Sequence, residues 1–233
     1  MTPTWQSPNG DICLYRADCL AVLPTLEPGS VDAVVTSPPY DDLRTYGGLN
    51  WDFGKTSAEL WRVAADGGTI VWVVSDETKD GSETGTSMRQ ALHFMDLGFN
   101  LHDTMIYEKA GNGMAGSLLC YIQAFEFMYV FSKGKPKACN MLRDRRNVRG
   151  GKVNRNPARR AATGERKPNR VWVNAEFGRR CNIWQYGHPG IDLGHPAVFP
   201  LPLARDHILS WSNENDTILD PFMGSGTTGV ACV

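Results

Sequence analysis

The chain has 233 residues, 42% of them hydrophobic, and a formal net charge of −1, which is ordinary for a soluble globular α/β domain with room for an insert. No apolar run approaches the roughly 20 residues of a bilayer-spanning helix, and the N-terminus lacks a signal-peptide pattern, so we expect a cytoplasmic protein that binds no membrane. The six cysteines are scattered without a Cys-x-x-Cys pair, which favours reduced thiols.

The first predicted elements are a short strand over residues 12–15 and a helix that follows Asp18 and runs through residue 23. Asp18 stands immediately before the apolar helical pattern, where its carboxylate suits an N-cap. Residues 31–35 then form an apolar run that is long enough for one buried strand.

The stretch Thr36-Ser37-Pro38-Pro39-Tyr40 ends that strand. Pro38 cannot donate a ladder hydrogen bond, and two successive prolines hold the backbone stiff and extended. This rigid bracket follows the carboxyl end of a strand, where open α/β sheets bind ligands. Its hydroxyl (Ser37), backbone carbonyls and ring (Tyr40) suit a flat heterocycle with an exocyclic amine; the alternative is a proline-rich turn that only ends a core strand.

Residues 41–48 predict a loop, because they contain adjacent glycines and little apolar periodicity. The loop follows Tyr40 directly, so it would close over a substrate and bring Arg44 to a phosphate or a base. The alternative is a solvated surface loop.

Helical and strand patterns then alternate. Residues 59–63 predict a helix that ends at Asp66-Gly67-Gly68, and residues 69–74 predict a buried strand. Two further strands are predicted over residues 101–107 and 125–131; Glu126, inside the second, either points into the site or lies at a strand edge.

A third helix is predicted over residues 82–97. Its apolar residues recur at helical spacing, so we assign one face to the core. That face consists of Met88, Ala91, Leu92 and Met95.

The composition shifts sharply in residues 133–180, which hold 16 of the 24 Lys and Arg against three acidic residues. The segment has a net charge of +13 and the rest of the chain has a net charge of −14. The nearly neutral chain is therefore made of two parts with strongly opposite charge. Because duplex DNA carries about one negative charge per 1.7 Å of axis, the segment predicts phosphate contact; the alternative is a solvated basic linker. Glycines and Asn156-Pro157 interrupt it, so we expect it to be loop-rich and partly disordered without a partner.

Arginine outnumbers lysine in this segment, which favours bidentate contacts with phosphate or guanine. The candidate DNA-binding residues are Arg44, Arg143, Arg145, Arg146, Arg149, Lys152, Arg155, Arg159 and Arg160.

Ordered character resumes at residues 182–186. Cys181, His188 and His195 do not have zinc-ligand spacing, so we expect no metal site. His195-Pro196-Ala197-Val198-Phe199-Pro200 leads into a helix over residues 201–211, whose apolar spacing fits packing on a sheet.

The last motif is Asp220-Pro221-Phe222-Met223-Gly224-Ser225-Gly226-Thr227-Thr228-Gly229, which follows a short strand at residues 217–219. Its glycines allow a tight turn and the close approach of a ligand to the backbone. Thr227 and Thr228 would begin a helix whose first amides face the ligand. A lone Gly-x-Gly is weak evidence for any one ligand, but the longer motif is found in far fewer kinds of binding site.

The two motifs together resemble those of the DNA amino-methyltransferases, which methylate N4 of cytosine or N6 of adenine with S-adenosylmethionine (SAM). Ser37-Pro38-Pro39-Tyr40 looks like the catalytic motif of that family, and the segment from Asp220 looks like its SAM loop. The catalytic motif comes first and the SAM loop last, as in the beta class, in which the target-recognition segment lies between them. The resemblance spans nearly the whole chain.

This resemblance implies a Rossmann-like SAM-dependent methyltransferase fold, with a mostly parallel central sheet, helices on both faces and a circularly permuted motif order. Residues 1–132 would form the catalytic half of the domain, residues 133–180 the basic target-recognition insert, and residues 181–233 the SAM-binding half.

The resemblance also implies residue roles. Catalysis would rest on Ser37, Pro38, Pro39 and Tyr40. Asp18 resembles an early acidic motif of the family and would accept a hydrogen bond from the adenine amine of SAM, beside its N-cap role or instead of it. The residues implied in SAM binding are Asp18, Thr36, Pro196, Ala197, Phe199, Asp220, Phe222, Gly224, Ser225, Gly226 and Thr227.

The implied activity is methylation of a flipped base in a specific sequence of double-stranded DNA. Serine at the first motif position is more usual for N4 of cytosine; N6 of adenine is the alternative. Methylation of RNA or of a glutamine side chain, and a truncated DNA-binding protein without catalysis, are further alternatives. A cognate restriction endonuclease is an expected partner, and the chain would be a monomer or a homodimer.

Members of the family normally continue past the SAM loop with the rest of a helix, a strand and an acidic residue for the ribose hydroxyls. This chain ends at Val233. We therefore expect a truncated or compact form in which the SAM site is weakened.

Overall fold

The computed structural model describes residues 1–39, 51–110, 121–156, 158–160, 164–187 and 200–233. It divides into two compact units: the first comprises Met1–Asn140 and Asn182–Val233, and the second comprises Met141–Cys181. Residues 133–140, at the start of the predicted basic insert, therefore lie in the first unit.

The helices of the described residues are α1 (Cys19–Val22), α2 (Phe53–Val63), α3 (Thr86–Asp96), α4 (Leu201–Trp211) and α5 (Thr227–Ala231), with a 3-10 turn at Leu23–Thr25. The strands are β1 (Trp5–Gln6), β2 (Cys13–Leu14), β3 (Val31–Thr36), β4 (Ala64–Val74), β5 (Thr78–Lys79), β6 (Ser82–Glu83), β7 (Asn100–Ala110), β8 (Phe125–Ser132), β9 (Arg145–Arg146), β10 (Val153–Asn156), β11 (Arg159–Arg160), β12 (Arg166–Lys167), β13 (Arg170–Val173), β14 (Phe177–Gly178), β15 (Ile183–Gly187) and β16 (Ile218–Leu219). None of these helices has the length and apolar character needed to cross a bilayer.

The first unit is built on a six-stranded sheet with the order β15-β7-β8-β4-β3-β16. Neighbouring strands are parallel except around β8, which runs antiparallel to both β7 and β4. The strands at the centre of this sheet are nearly continuous apolar runs, as strands covered on both faces require. The prediction of a mostly parallel α/β sheet is confirmed, with one antiparallel strand inside it.

Helices cover both faces of this sheet. On one face, Trp72 of β4 packs with its ring centroid 5.1 Å from that of Phe94 in α3, and Leu60 of α2 belongs to the same buried cluster. Side chains alternate between faces along a strand, and Thr69, on the opposite face of β4, donates its hydroxyl to the carbonyl of Trp211 in α4 at 3.3 Å. Helices therefore lie on both faces, as predicted, with α2 and α3 on one face and α4 on the other.

The predicted core face of α3 is wrong for three of its four residues. Ala91 is 6% exposed, but Met88, Leu92 and Met95 are 53%, 60% and 43% exposed. The buried side of the helix also carries Phe94 and two polar residues, Ser87 and Gln90, which the predicted core face did not include.

These buried polar residues are satisfied by hydrogen bonds, which is why burial does not follow hydrophobicity here. Ser87 donates its backbone N–H to the buried carboxylate of Asp76 at 2.8 Å. Gln90 accepts a hydrogen bond from the indole of Trp72 at 2.8 Å. A helix anchored through such bonds can leave its longer apolar side chains outside.

Three other expectations are refined by the structure. Strand β4 begins directly after α2, so Asp66-Gly67-Gly68 lies inside a strand; Gly67 has a left-handed φ of 77° there. Glu126, whose setting was left open, forms an ion pair with Lys109 of the neighbouring strand β7 at 2.8 Å. The strand predicted over residues 12–15 is the short β2, which pairs with β1 outside the main sheet.

The described residues of the second unit form three antiparallel strand pairs, β9 with β14, β10 with β13, and β11 with β12. These strands have two or four residues each, so most of the described unit is turns and loops, as its glycines and basic composition predict.

The burial of α3 is tested by two substitutions on the same helix. Phe94→Ala should lower the free energy of unfolding by about 3–5 kcal/mol, because it empties a buried site, whereas Leu92→Ala should change it by no more than about 0.5 kcal/mol. Urea unfolding followed by tryptophan fluorescence measures both. Equal losses of unfolding free energy in the two variants would show that Leu92 is part of the core.

Candidate functional site

The two sequence motifs begin at the ends of neighbouring parallel strands. Strand β16 pairs with β3 through Ile218–Ala33 and Leu219–Val34, so both strands end at the same edge of the sheet. The hydroxyl of Thr36 donates to the carboxylate of Asp220 at 2.6 Å, across 184 positions of sequence. The structure thus brings together the start of the Ser-Pro-Pro-Tyr bracket and the start of the glycine loop.

Asp220 connects three elements through its carboxylate. Oδ1 also accepts the backbone N–H of Phe222 at 3.0 Å, and Oδ2 accepts the hydroxyl of Thr228 in α5 at 2.7 Å. Burial raises the pKa of Asp220, and the hydrogen bonds from Thr36, Thr228 and Phe222 oppose that rise. The strand β3, the loop and α5 are therefore held by one acidic side chain.

The loop between β16 and α5 turns on two glycines in the left-handed region, Gly224 with φ 54° and Gly226 with φ 84°. The N–H of Gly226 donates to the carbonyl of Met223 at 2.8 Å, and the hydroxyls of Ser225 and Thr227 lie 3.2 Å apart. A Cβ built on Gly226 would meet nothing within 4 Å. The backbone of this tight turn therefore borders open space, where a ligand could approach it.

The bracket after β3 is held close to the sheet. Pro38 is buried, and Ser37 and Pro39 are half-buried. Strand β3 ends at Thr36. This end lies just before Pro38, whose missing N–H was predicted to stop the strand. Tyr40 and Arg44 lie outside the described residues, as do Pro196, Ala197 and Phe199.

Pro39 borders a cavity of about 390 Å³ in the first unit. The remaining lining residues come from the start of α2, from a residue shortly before it and from the first turns of α3, and they combine aromatic with polar side chains. They are Trp51, Phe53, Thr86, Arg89, Gln90 and His93.

The polar groups of the cavity are held in place by neighbours. The ring nitrogen Nε2 of His93 lies 3.0 Å from the hydroxyl of Ser57, and the carbonyl oxygen of Gln90 is engaged by Trp72. A cavity of this size with aromatic walls and a few fixed polar groups suits a small planar ligand. The sequence did not indicate these residues, because the apolar pattern of α3 predicted a different buried face. Only the helical spacing of Ser87, Gln90 and Phe94 could have indicated the true one.

An aromatic contact links the glycine loop to the wall of the cavity. The ring of Phe222 lies 5.1 Å from that of Trp51 and 6.2 Å from that of Trp72. Phe222 thus packs between the loop and the core, and its predicted contact with SAM remains a prediction.

Asp18 caps α1, because its Oδ1 accepts the backbone N–H of Leu20 at 2.8 Å. This bond uses one carboxylate oxygen, and the side chain is exposed. The N-cap interpretation is therefore observed, while the role of Asp18 toward SAM remains a prediction.

In the second unit, the predicted DNA-binding side chains that the structure describes are all exposed. They are Arg143, Arg145, Arg146, Arg149, Lys152, Arg155 and Arg160; the side chain of Arg159 is not among those described.

Two arginines of the second unit hold the unit itself together. Arg145 donates to the carbonyl of Arg179 at 3.0 Å. Arg180 donates through Nε to both carboxylate oxygens of Asp144, at 3.0 and 3.1 Å, and this pairing lowers the pKa of Asp144. Not every cation of the unit is therefore equally available to a partner.

A protein-family model described as DNA methylase matches residues 31–233. The orphan methyltransferase M.BamHII of Bacillus amyloliquefaciens is 52% identical over 208 residues, which are 85% of this chain and 78% of that protein. The type II methyltransferase M.Cfr9I of Citrobacter freundii is 27% identical over 263 residues, with 94% of this chain and 79% of that protein covered.

Solved structures of the same kind share the fold. The PvuII DNA methyltransferase (cytosine-N4-specific) has a TM-score of 0.69 at 19% identity, with 99% of this chain and 80% of that chain covered. The M1.HpyAVI–SAM complex has a TM-score of 0.59 at 23% identity, with 94% and 86% covered.

The bond between the two motifs is tested by Thr36→Val, which keeps the shape of the side chain and removes the hydroxyl. Because it takes one donor from the part-buried Asp220 carboxylate, we expect it to lower the free energy of unfolding by about 1–3 kcal/mol. Thr217→Val, at an exposed position beside the same strand pair, should cost no more than about 0.5 kcal/mol. Urea denaturation measures both, and indistinguishable costs would show that the Thr36–Asp220 bond does not hold the edge.

Proposed function

Because the chain belongs to the DNA methylase family, as a DNA methyltransferase of the N4/N6 class, we propose that it methylates the exocyclic N4 amine of cytosine in a specific duplex sequence, with SAM as methyl donor. The observation that carries this proposal is the Thr36–Asp220 hydrogen bond. Transfer between two bound molecules requires both at one place in fixed orientation, and this bond joins the segment proposed for each of them.

The glycine loop fits the methyl donor. It offers an exposed turn with open space above Gly226 and hydroxyls on Ser225 and Thr227, which suit the polar, extended shape of SAM. When bound, SAM supplies a methyl group carried on a positively charged sulfur. The chain would hold it through Thr36, Asp220, Gly224, Ser225, Gly226 and Thr227, with Asp18, Pro196, Ala197, Phe199 and Phe222 as further proposed contacts.

The bracket fits the base. The lone pair of an exocyclic amine is delocalised into the ring, so the amine is a poor nucleophile. The hydroxyl of Ser37 and the carbonyl of Pro38 each accept a hydrogen bond from one N–H of the amine. These bonds favour a tetrahedral nitrogen and localise its lone pair. Pro39 and its double-proline backbone keep these acceptors in a fixed geometry, so that positioning and stabilisation of developing charge supply most of the catalysis.

The cavity beside Pro39 is the proposed place of the flipped base. Extruding a base from a duplex costs a few kcal/mol, and stacking on an aromatic side chain returns about 1–3 kcal/mol per base. Trp51 and Phe53 line the cavity, and Tyr40 follows Pro39 in sequence. The proposed catalytic set is therefore Ser37, Pro38, Pro39 and Tyr40, with the cavity walls as its support.

Cytosine is favoured over adenine because the motif opens with serine, which the resemblance to the family links more often to N4 of cytosine. The basic second unit is the proposed DNA contact, as its excess of positive charge complements the phosphates of the duplex. A cognate restriction endonuclease is a proposed partner only, since one similar protein is named an orphan methyltransferase and others type II methyltransferases.

The reaction is tested by incubating the protein with methyl-labelled SAM and duplex DNA, then digesting the DNA to nucleosides for mass spectrometry. We expect N4-methylcytosine. N6-methyladenine alone would overturn the choice of base. DNA binding without any methylated nucleoside, together with no heat of SAM binding in calorimetry, would favour a DNA-binding protein without catalysis.

The bracket is tested by Ser37→Ala in the same assay. Loss of one hydrogen bond to an amine that gains positive charge should lower kcat/KM about tenfold to a hundredfold, with DNA affinity nearly unchanged. Ser82→Ala, in the exposed hairpin formed by β5 and β6, is the matched control and should keep full activity. Unchanged activity in Ser37→Ala would remove Ser37 from the catalytic set.

A further inference from the structure

The longest strand pair in the described part of the second unit is the antiparallel ribbon formed by β10 and β13. Its register pairs Val153 with Val173, Asn154 with Trp172, Arg155 with Val171, and Asn156 with Arg170. Directly opposed residues share a face, and successive residues alternate between faces.

The ribbon therefore has two chemically different faces. The polar face carries Asn154, Asn156, Arg170 and Trp172, and the valine face carries Val153, Arg155, Val171 and Val173.

Arg170 and Asn156 are opposed on the polar face, and both are exposed. The guanidinium carbon of Arg170 lies 6.0 Å from the ring centroid of Trp172, within range of a cation–π contact. The side-chain amide of Asn154 donates to that of Asn174 at 2.7 Å, which fixes the other end of this face. The pair is thus presented from a supported surface.

The chemistry of this pair matches the edges of base pairs. Arginine donates two hydrogen bonds to O6 and N7 of guanine, and asparagine bonds both N6 and N7 of adenine. The major groove is about 12 Å wide and admits a two-stranded ribbon. The charge of the unit suits the same partner, since residues 141–181 hold 13 Lys and Arg against three acidic residues.

We infer that the polar face of the β10–β13 ribbon enters the major groove of the target duplex, where Arg170 and Asn156 contact base edges and determine sequence specificity. This inference rests on the proposed function and adds residues to it, because Arg170 and Asn156 were not among the predicted DNA contacts. Arg155, on the valine face of the same ribbon, points away from the groove floor and contributes charge rather than specificity.

The experiment uses the full chain, SAM and a duplex library with a randomised central segment. Methylated positions are mapped by single-molecule sequencing, and the same library is sorted independently by binding. Wild type, Arg170→Ala, Arg170→Lys and Arg155→Ala are compared. Arg170→Ala and Arg155→Ala remove the same charge from the same ribbon, while Arg170→Lys keeps the charge and loses the two-pronged donor.

We expect both Arg170 variants to relax the preferred sequence at one position, with discrimination there falling about tenfold to a hundredfold. Arg155→Ala should keep the wild-type sequence and weaken binding to all sequences alike, with a salt slope smaller by about 1. The inference is overturned if Arg170→Ala and Arg170→Lys retain the full preference, or if Arg155→Ala relaxes it equally.

The two readouts separate this inference from the proposed function. Sequence-selective binding by wild type without methylation overturns the proposed function and leaves the ribbon to be judged by the bound sequences. Methylation or binding with no sequence preference in wild type overturns the inference on the ribbon.

Discussion

One carboxylate holds together the edge of the sheet at which the two sequence motifs meet. Asp220 accepts hydrogen bonds from Thr36 at the end of β3, from Phe222 in the loop and from Thr228 in α5. Removing a carboxylate from water costs free energy unless hydrogen bonds satisfy its oxygens. Asp220 therefore needs these three donors. Their convergence fixes the distance between the glycine turn and the Ser-Pro-Pro bracket, and the proposed methyl transfer depends on that distance.

The other side of the bracket depends on α3. This helix turns Gln90 and His93 toward the cavity beside Pro39, and Phe94 toward the sheet. Phe222 then packs on Trp51, which also lines the cavity. The glycine loop and the cavity thus share one aromatic layer, so packing and not only the backbone connects the two parts of the site.

The sequence was most informative where one physical requirement dominated. Mostly apolar runs identified β3, β4 and β8, and the prolines located the end of β3, because buried strands and missing N–H groups leave clear marks in a sequence. The two motifs and their order also indicated the family to which the chain belongs. The face of α3 could not be predicted, since Gln90 and Ser87 are buried by partners that are distant in sequence, Trp72 and Asp76. The cavity and the pairing of Asn156 with Arg170 depend on tertiary contacts in the same way.

The separation of β3 from β16 along the chain has a consequence for synthesis. The ribosome releases residues 31–36 long before residues 218–219, so the edge of β3 that β16 later covers stays open while everything between them emerges. Strands so far apart in the chain pair slowly, because the chain loses the entropy of closing a large loop before the contacts between the strands stabilise it. The nascent chain therefore passes through a stage with an uncovered apolar strand edge. Chaperones bind surfaces of this kind, and chains aggregate through them.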